Sequence, residues 1–103
     1  MATGILGQSN PAATTNTTVY TVPSGKVSTL TVSICNTSVT PISVRLAVAA
    51  SGTPSISEYL EYDATIPQNG VLERGGIVAQ AAKNIVVYAN TAAVSVTIFG
   101  YEE

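Results

Sequence analysis

Glu58, Glu61 and Asp63 are the densest gathering of acid groups in the chain. Carboxylates this close can hold Ca²⁺ or act as the acid and base of glycoside hydrolysis. On an extended strand Glu61 and Asp63 would share one face. A Ca²⁺ loop, however, draws its oxygen ligands from along a turn and uses more carboxylates than these. The simpler expectation is the solvated face of an edge strand, where charge discourages stray pairing. Tyr59 and Tyr62 are interleaved with the acids. Aromatic faces beside carboxylates can stack on sugars, yet the same rings can fill a core or an interface.

The remaining chemistry is thin. The chain has no His, so neither a Cys-His pair nor a Ser-His-Asp triad can be assembled. Cys35 is the single cysteine, which excludes an intramolecular disulfide. It closes a core strand and is expected to be a small buried hydrophobe. Lys26 or Lys83 could in principle activate a Ser, but no spacing singles one out. Gly75-Gly76 lacks the spacing and the following Lys-Ser/Thr of a phosphate loop, and fits a bulge or a sheet corner. No catalytic residue, metal ligand or cofactor is expected. The chain looks non-enzymatic: a binding, coating or assembly module.

Charge narrows the partners. Four basic and six acidic residues give a net charge of -2. Lys26, Arg45, Arg74 and Lys83 are scattered, so neither nucleic acid nor an anionic membrane is an expected partner. Charged residues make up 10% of the chain, against about 25% in ordinary domains. A surface this neutral is tolerable when part of it is covered by partners. Met1-Ala2-Thr3-Gly4 has neither the charged region nor the apolar run of a secretory signal, and no segment approaches the ~18 apolar residues of a membrane span. Synthesis in a reducing cytoplasm is the expectation.

The elements that must carry these residues are strands. Residues 14–22, rich in Thr and Val, form the first, closed by the Pro23-Ser24-Gly25 turn. Residues 26–35 alternate with Leu30, Val32 and Ile34 on one face, and Val27 falls outside that set as a strand end or bulge. Residues 41–50 place Ile42, Val44, Leu46 and Val48 inward. Arg45, Ala47 and Ala49 then face outward, and small Ala at outward positions suggests contact with another subunit. Residues 57–64 are ambiguous. Ser55 and Glu58 have capping-box spacing, but Tyr59 and Tyr62 favour a strand, and strand is the assignment. After the Pro67-Gln68-Asn69-Gly70 turn come short strands at 71–74 and 77–79, then 84–89 and 94–101. In the last, Val94, Val96 and Ile98 share one face and Phe99 and Tyr101 the other.

That makes about eight strands with frequent turn signals, the pattern of an all-β antiparallel β-sandwich, jelly-roll-like. Residues 14–103 form the sandwich domain. Residues 1–13 are broken by Gly4, Gly7 and Pro11 and are expected to be a flexible N-terminal arm, with Ile5 and Leu6 as apolar anchors. Ile5, Leu6, Arg45, Ala47, Phe99 and Tyr101 are the candidate interface residues.

Tyr20-Thr21-Val22-Pro23-Ser24-Gly25-Lys26 opens a strand that ends Ile34-Cys35-Asn36-Thr37-Ser38. With Tyr59-Leu60-Glu61-Tyr62-Asp63, Ile66-Pro67, Val87-Tyr88-Ala89-Asn90-Thr91 and the closing Phe99-Gly100, it resembles small β-sandwich virion proteins of tailed bacteriophages. The resemblance runs from about Thr17 to Glu102. Ala82-Lys83-Asn84 departs from the Gly-Asp turn typical of that pattern. The resemblance implies a virion part made in the bacterial cytoplasm and carries over no catalytic residue. Its foremost implication is a capsid decoration (cement) protein that bridges subunits of the major capsid protein, self-associated as a trimer. A neck, tail or fibre-attachment part is the alternative, and a carbohydrate-binding module the alternative from another class.

Overall fold

The structure is a computed structural model that describes residues 3–103. Eight strands follow one another: β1 (Thr3–Ser9), β2 (Thr17–Thr21), β3 (Val27–Asn36), β4 (Ile42–Ala49), β5 (Tyr59–Ile66), β6 (Val71–Gln80), β7 (Asn84–Ala89) and β8 (Val94–Glu102). One turn of 3-10 helix, Ile56–Glu58, precedes β5.

The pairing has a simple logic. Strand β1 runs antiparallel to β8, β2 to β7, β3 to β6 and β4 to β5, as in one long ribbon folded on itself. The ribbon then rolls up, so that β8 also pairs with β3 and β7 with β4. Two four-stranded sheets result: sheet A in the order β1-β8-β3-β6 and sheet B in the order β2-β7-β4-β5. This is the strand order of a jelly roll.

The core is set by period-2 alternation. Leu30, Val32 and Ile34 of β3 and Val96 and Ile98 of β8 project from sheet A. Ile42, Val44 and Leu46 of β4 and Ile85 and Val87 of β7 project from sheet B, and all ten are buried. Burying each such side chain is worth about 1.5–3 kcal/mol. Of the inward set expected from the pattern, Val48 alone stays half-buried, at the open side of the sandwich.

Residues 3–9 are not an arm but an edge strand. Ile5 pairs with Phe99, and beyond a bulge Gly7 pairs with Ile98. The bulge turns Leu6 onto the core, while Ile5 points to solvent. Pro11 is buried, and with its amide oriented to suit the network Asn10 donates to the carbonyls of Ala92 and Val94. Gly7 is a requirement of close packing rather than a break. A Cβ there would lie 2.9 Å from the Val19 carbonyl oxygen of β2.

Three further differences come from a bulge, a local hydrogen bond and, for Cys35, strand parity beside inward Ile34. Residues 71–80 are one strand, because Gly75-Gly76 is a bulge between the pairs Leu30–Ile77 and Val32–Arg74 and does not end the ladder. Residues 56–66 combine both forms suggested by their sequence. The Glu58 carboxylate accepts the Ser55 N–H at 2.8 Å and holds a helical turn, after which the tyrosines enter β5. Cys35 is half-buried on the outer face of sheet A, paired with Ser95 and Val71, and not in the core.

Candidate interaction surfaces

Sheet A presents an open outer face. Its outward positions follow from register: Thr3, Ile5 and Gln8 on β1, and Ser95, Thr97, Phe99 and Tyr101 on β8. Thr29, Thr31, Ser33 and Cys35 continue the face on β3, and Val71, Glu73 and Val78 on β6. Ile5 is 63% exposed, Val78 65%, Tyr101 44% and Phe99 37%. Among the described residues, Glu73 is the one charged side chain at an outward position, and it lies on edge strand β6. Phe99 pairs with Ile5 on one side and Thr31 on the other, which sets it near the middle of the face.

Gly100 holds Phe99 in place. Its φ is 152°, and a Cβ there would lie 2.0 Å from the Thr29 carbonyl oxygen. Only glycine lets β8 come this close to β3.

Sheet B carries the polar aromatic cluster. Arg45 Nε donates to Asp63 Oδ1 at 2.7 Å, and its guanidinium carbon lies 4.2 Å from the Tyr62 ring centre and 4.6 Å from that of Tyr88. The hydrogen bond to Asp63 raises the Arg45 pKa above its ordinary value, against a smaller opposing effect of desolvation. Tyr59 meets Tyr62 edge to face, with ring centres 4.9 Å apart. Beneath Tyr59 lie Ala47, Ala49 and Val86, all buried. The outward alanines are thus covered by the chain's own Tyr59, and Ala47 is not available to a partner. Leu6 is likewise unavailable, being turned onto the core.

The carboxylates do not converge. Two irregularities shift β5 against β4, between Val44 and Leu46 and again between Leu46 and Ala47. Asp63, with φ 52°, sits in the first. The inserted residue cancels the period-2 relation, so Asp63 faces out to Arg45 while Glu61 turns to the sandwich edge. There Glu61 Oε2 accepts from Arg74 Nη1 at 2.8 Å, tying β5 of sheet B to β6 of sheet A. Glu58 is spent on Ser55 and Ala50 N–H groups, and these hydrogen bonds lower its pKa. Among the described residues no group of three or more His, Cys, Asp or Glu side chains could hold a metal ion.

Beside the Glu61–Arg74 bridge is a groove of about 270 Å³, lined by Val48 and Leu60 from sheet B and by residues 74–78 of β6. A fourth feature is internal. Glu102 is buried and accepts hydrogen bonds from Ser28 Oγ at 2.9 Å and from the Tyr20 hydroxyl.

Of the candidate interface residues, Ile5, Phe99 and Tyr101 are thus gathered on one face, and Arg45 stands on the opposite one. Reasoning from sequence missed Tyr88 and Val78. Both were within reach of the alternation rule, since Val87 and Ala89 flank Tyr88 as inward residues, and Ile77 and Ala79 flank Val78.

No protein-family model matches the chain, no curated protein matches it, and no solved structure matches it.

Proposed function

We propose that this protein is a non-enzymatic structural component of a multi-copy assembly, with the outer face of sheet A buried against protein neighbours. The observation that carries this reading is the composition of that face: one charge, at its edge, around exposed Ile5, Phe99, Tyr101 and Val78. Depletion of charge together with exposed aromatic side chains, here Phe99 and Tyr101 among Ser and Thr, is the compositional mark of an interface.

The assembly we propose is the virion of a tailed bacteriophage, on the strength of the turn-and-strand motifs around Pro23, Asn36 and Phe99-Gly100. Within it the role is capsid decoration: the protein bridges neighbouring major capsid subunits and stabilises the shell because it binds only the assembled state. The test compares the heat stability of particles with and without the protein. Decoration predicts that depleted particles open at a lower temperature and that adding the protein back restores them. Equal robustness removes the cementing role. A copy number of a dozen or fewer per particle would favour a neck or tail part.

A carbohydrate-binding reading rests on half-exposed Tyr62 beside Asp63 on sheet B. It ranks second because Arg45 already occupies faces of Tyr62 and Tyr88 and pairs with Asp63. Binding to a glycan array that is lost in Tyr62→Ala would reverse that ranking.

A further inference from the structure

We infer that the partner seated on the outer face of sheet A is a second copy of this chain, held face to face about a two-fold axis that runs along the seam between β8 and β3. The inference rests on the assembly reading above and names its partner.

The relief of the two middle strands is divided along that seam. On the β1–β8 side stand the large side chains Ile5, Phe99 and Tyr101. On β3, in the same rows, lie Thr29 and Thr31, and beyond them on β6 the Gly75-Gly76 bulge and Val78, which the rotation described below sets over the partner's Thr3. A Cβ on Gly75 would only touch Thr31, so the strip beside Phe99 is low over the width of two strands. Rotation by 180° about the seam exchanges the two sides and keeps each row at its level. Phe99 of one copy then lies over Thr31 of the other, Tyr101 over Thr29, and Ile5 over the glycine bulge. Turning the copies about an axis across the strands would instead set raised side on raised side.

Charge agrees with shape. Glu73 shares a row with Ser33, Thr97 and Gln8. The same rotation places Glu73 opposite the partner's Gln8, whose amide can donate to it, and keeps the two Glu73 side chains apart on opposite edges. The area reaches the lower end of the range of stable interfaces, about 600 Å² per partner. Four strands at ~4.8 Å spacing and ten residues at ~3.3 Å give a flat footprint on the order of 600 Å² before relief is counted. A standard interface buries about 800 Å² per partner. A contact of this kind is isologous and closes at two copies, unlike a ring of three.

The test is the mass of the full chain in solution across a concentration series, by light scattering. The expected result is a concentration-dependent species of twice the 10.5 kDa monomer mass. Phe99→Thr and Thr31→Phe should each weaken it at least about tenfold, as loss of a central anchor does. The double variant Phe99→Thr/Thr31→Phe moves the ridge to the other side of the same seam and should recover the dimer. Val78→Glu, at an exposed position, should weaken it without unfolding the sandwich. Labelling of Cys35 on the same face should slow as wild-type concentration rises. A monomer at every concentration, a trimer, or a double variant no better than the singles would overturn the inference. Binding of a strictly monomeric protein to particles would sink the dimer and leave the assembly reading standing. Loss of particle binding with the dimer intact would do the reverse.

Discussion

Among the described residues Glu102 is one of three buried polar or charged side chains, with Ser28 and Asn36. Its carboxylate is buried near the end of β8 and takes hydrogen bonds from Ser28 of sheet A and Tyr20 of sheet B. A hydrogen bond to a charged group contributes about 1.5–3 kcal/mol, so Tyr20→Phe should lower unfolding stability by about that much in urea titration. Glu58 is held in a different way. Its pKa is depressed below 4.5 by hydrogen bonds from the Ser55 and Ala50 backbone. The stability it contributes is present above that ordinary value and is lost as pH falls through the lower folded one. Glu58→Gln should therefore flatten the fall in Tm below about pH 4.5, measured by thermal scans at a series of pH values. The Ser55–Glu58 spacing was legible in the sequence because it is local. The separation of Glu61 from Asp63 was not, because it depends on a bulge whose cause is the register against β4.

At the scale of elements, the inward faces of β3, β4 and β8 were legible because alternation over eight or more residues admits one reading, as along Ile42 to Ala49. Leu46, fully buried between the sheets, should cost about 2–5 kcal/mol when cut to Ala, read as a shift in the denaturation midpoint. Strand β1 was hidden because Gly4 and Gly7 look like breakers until β2 is known to pass against Gly7. The eight-strand total came out right by exchange: β1 was missed, and β6 was divided at Gly75-Gly76. The β6–β7 turn offers a direct test. Ala82 is held at φ 70°, where a side chain costs roughly 1–2 kcal/mol and glycine does not. Allowing for the greater freedom of glycine in the unfolded chain, Ala82→Gly should stabilise by roughly 0.5–1 kcal/mol. A fall in Tm would mean that the turn is not strained at Ala82.

For the molecule as a whole, eight strands and frequent turns announced a sandwich, but the order β1-β8-β3-β6 with β2-β7-β4-β5 depends on long-range pairing that no local pattern encodes. The function follows a similar division. Missing His and sparse charge were visible at once and turned attention from catalysis to surfaces. That Phe99, Tyr101 and Ile5 share one face could not be seen, because Ile5 reaches it through a strand some ninety residues away in sequence. The central claim is that this face is covered by protein in the working assembly. An image reconstruction of the assembly that carries the chain, with the jelly roll placed in it, tests this most directly. The account predicts protein density against Ile5, Phe99 and Val78. Sheet A turned to open solvent in every copy would contradict it.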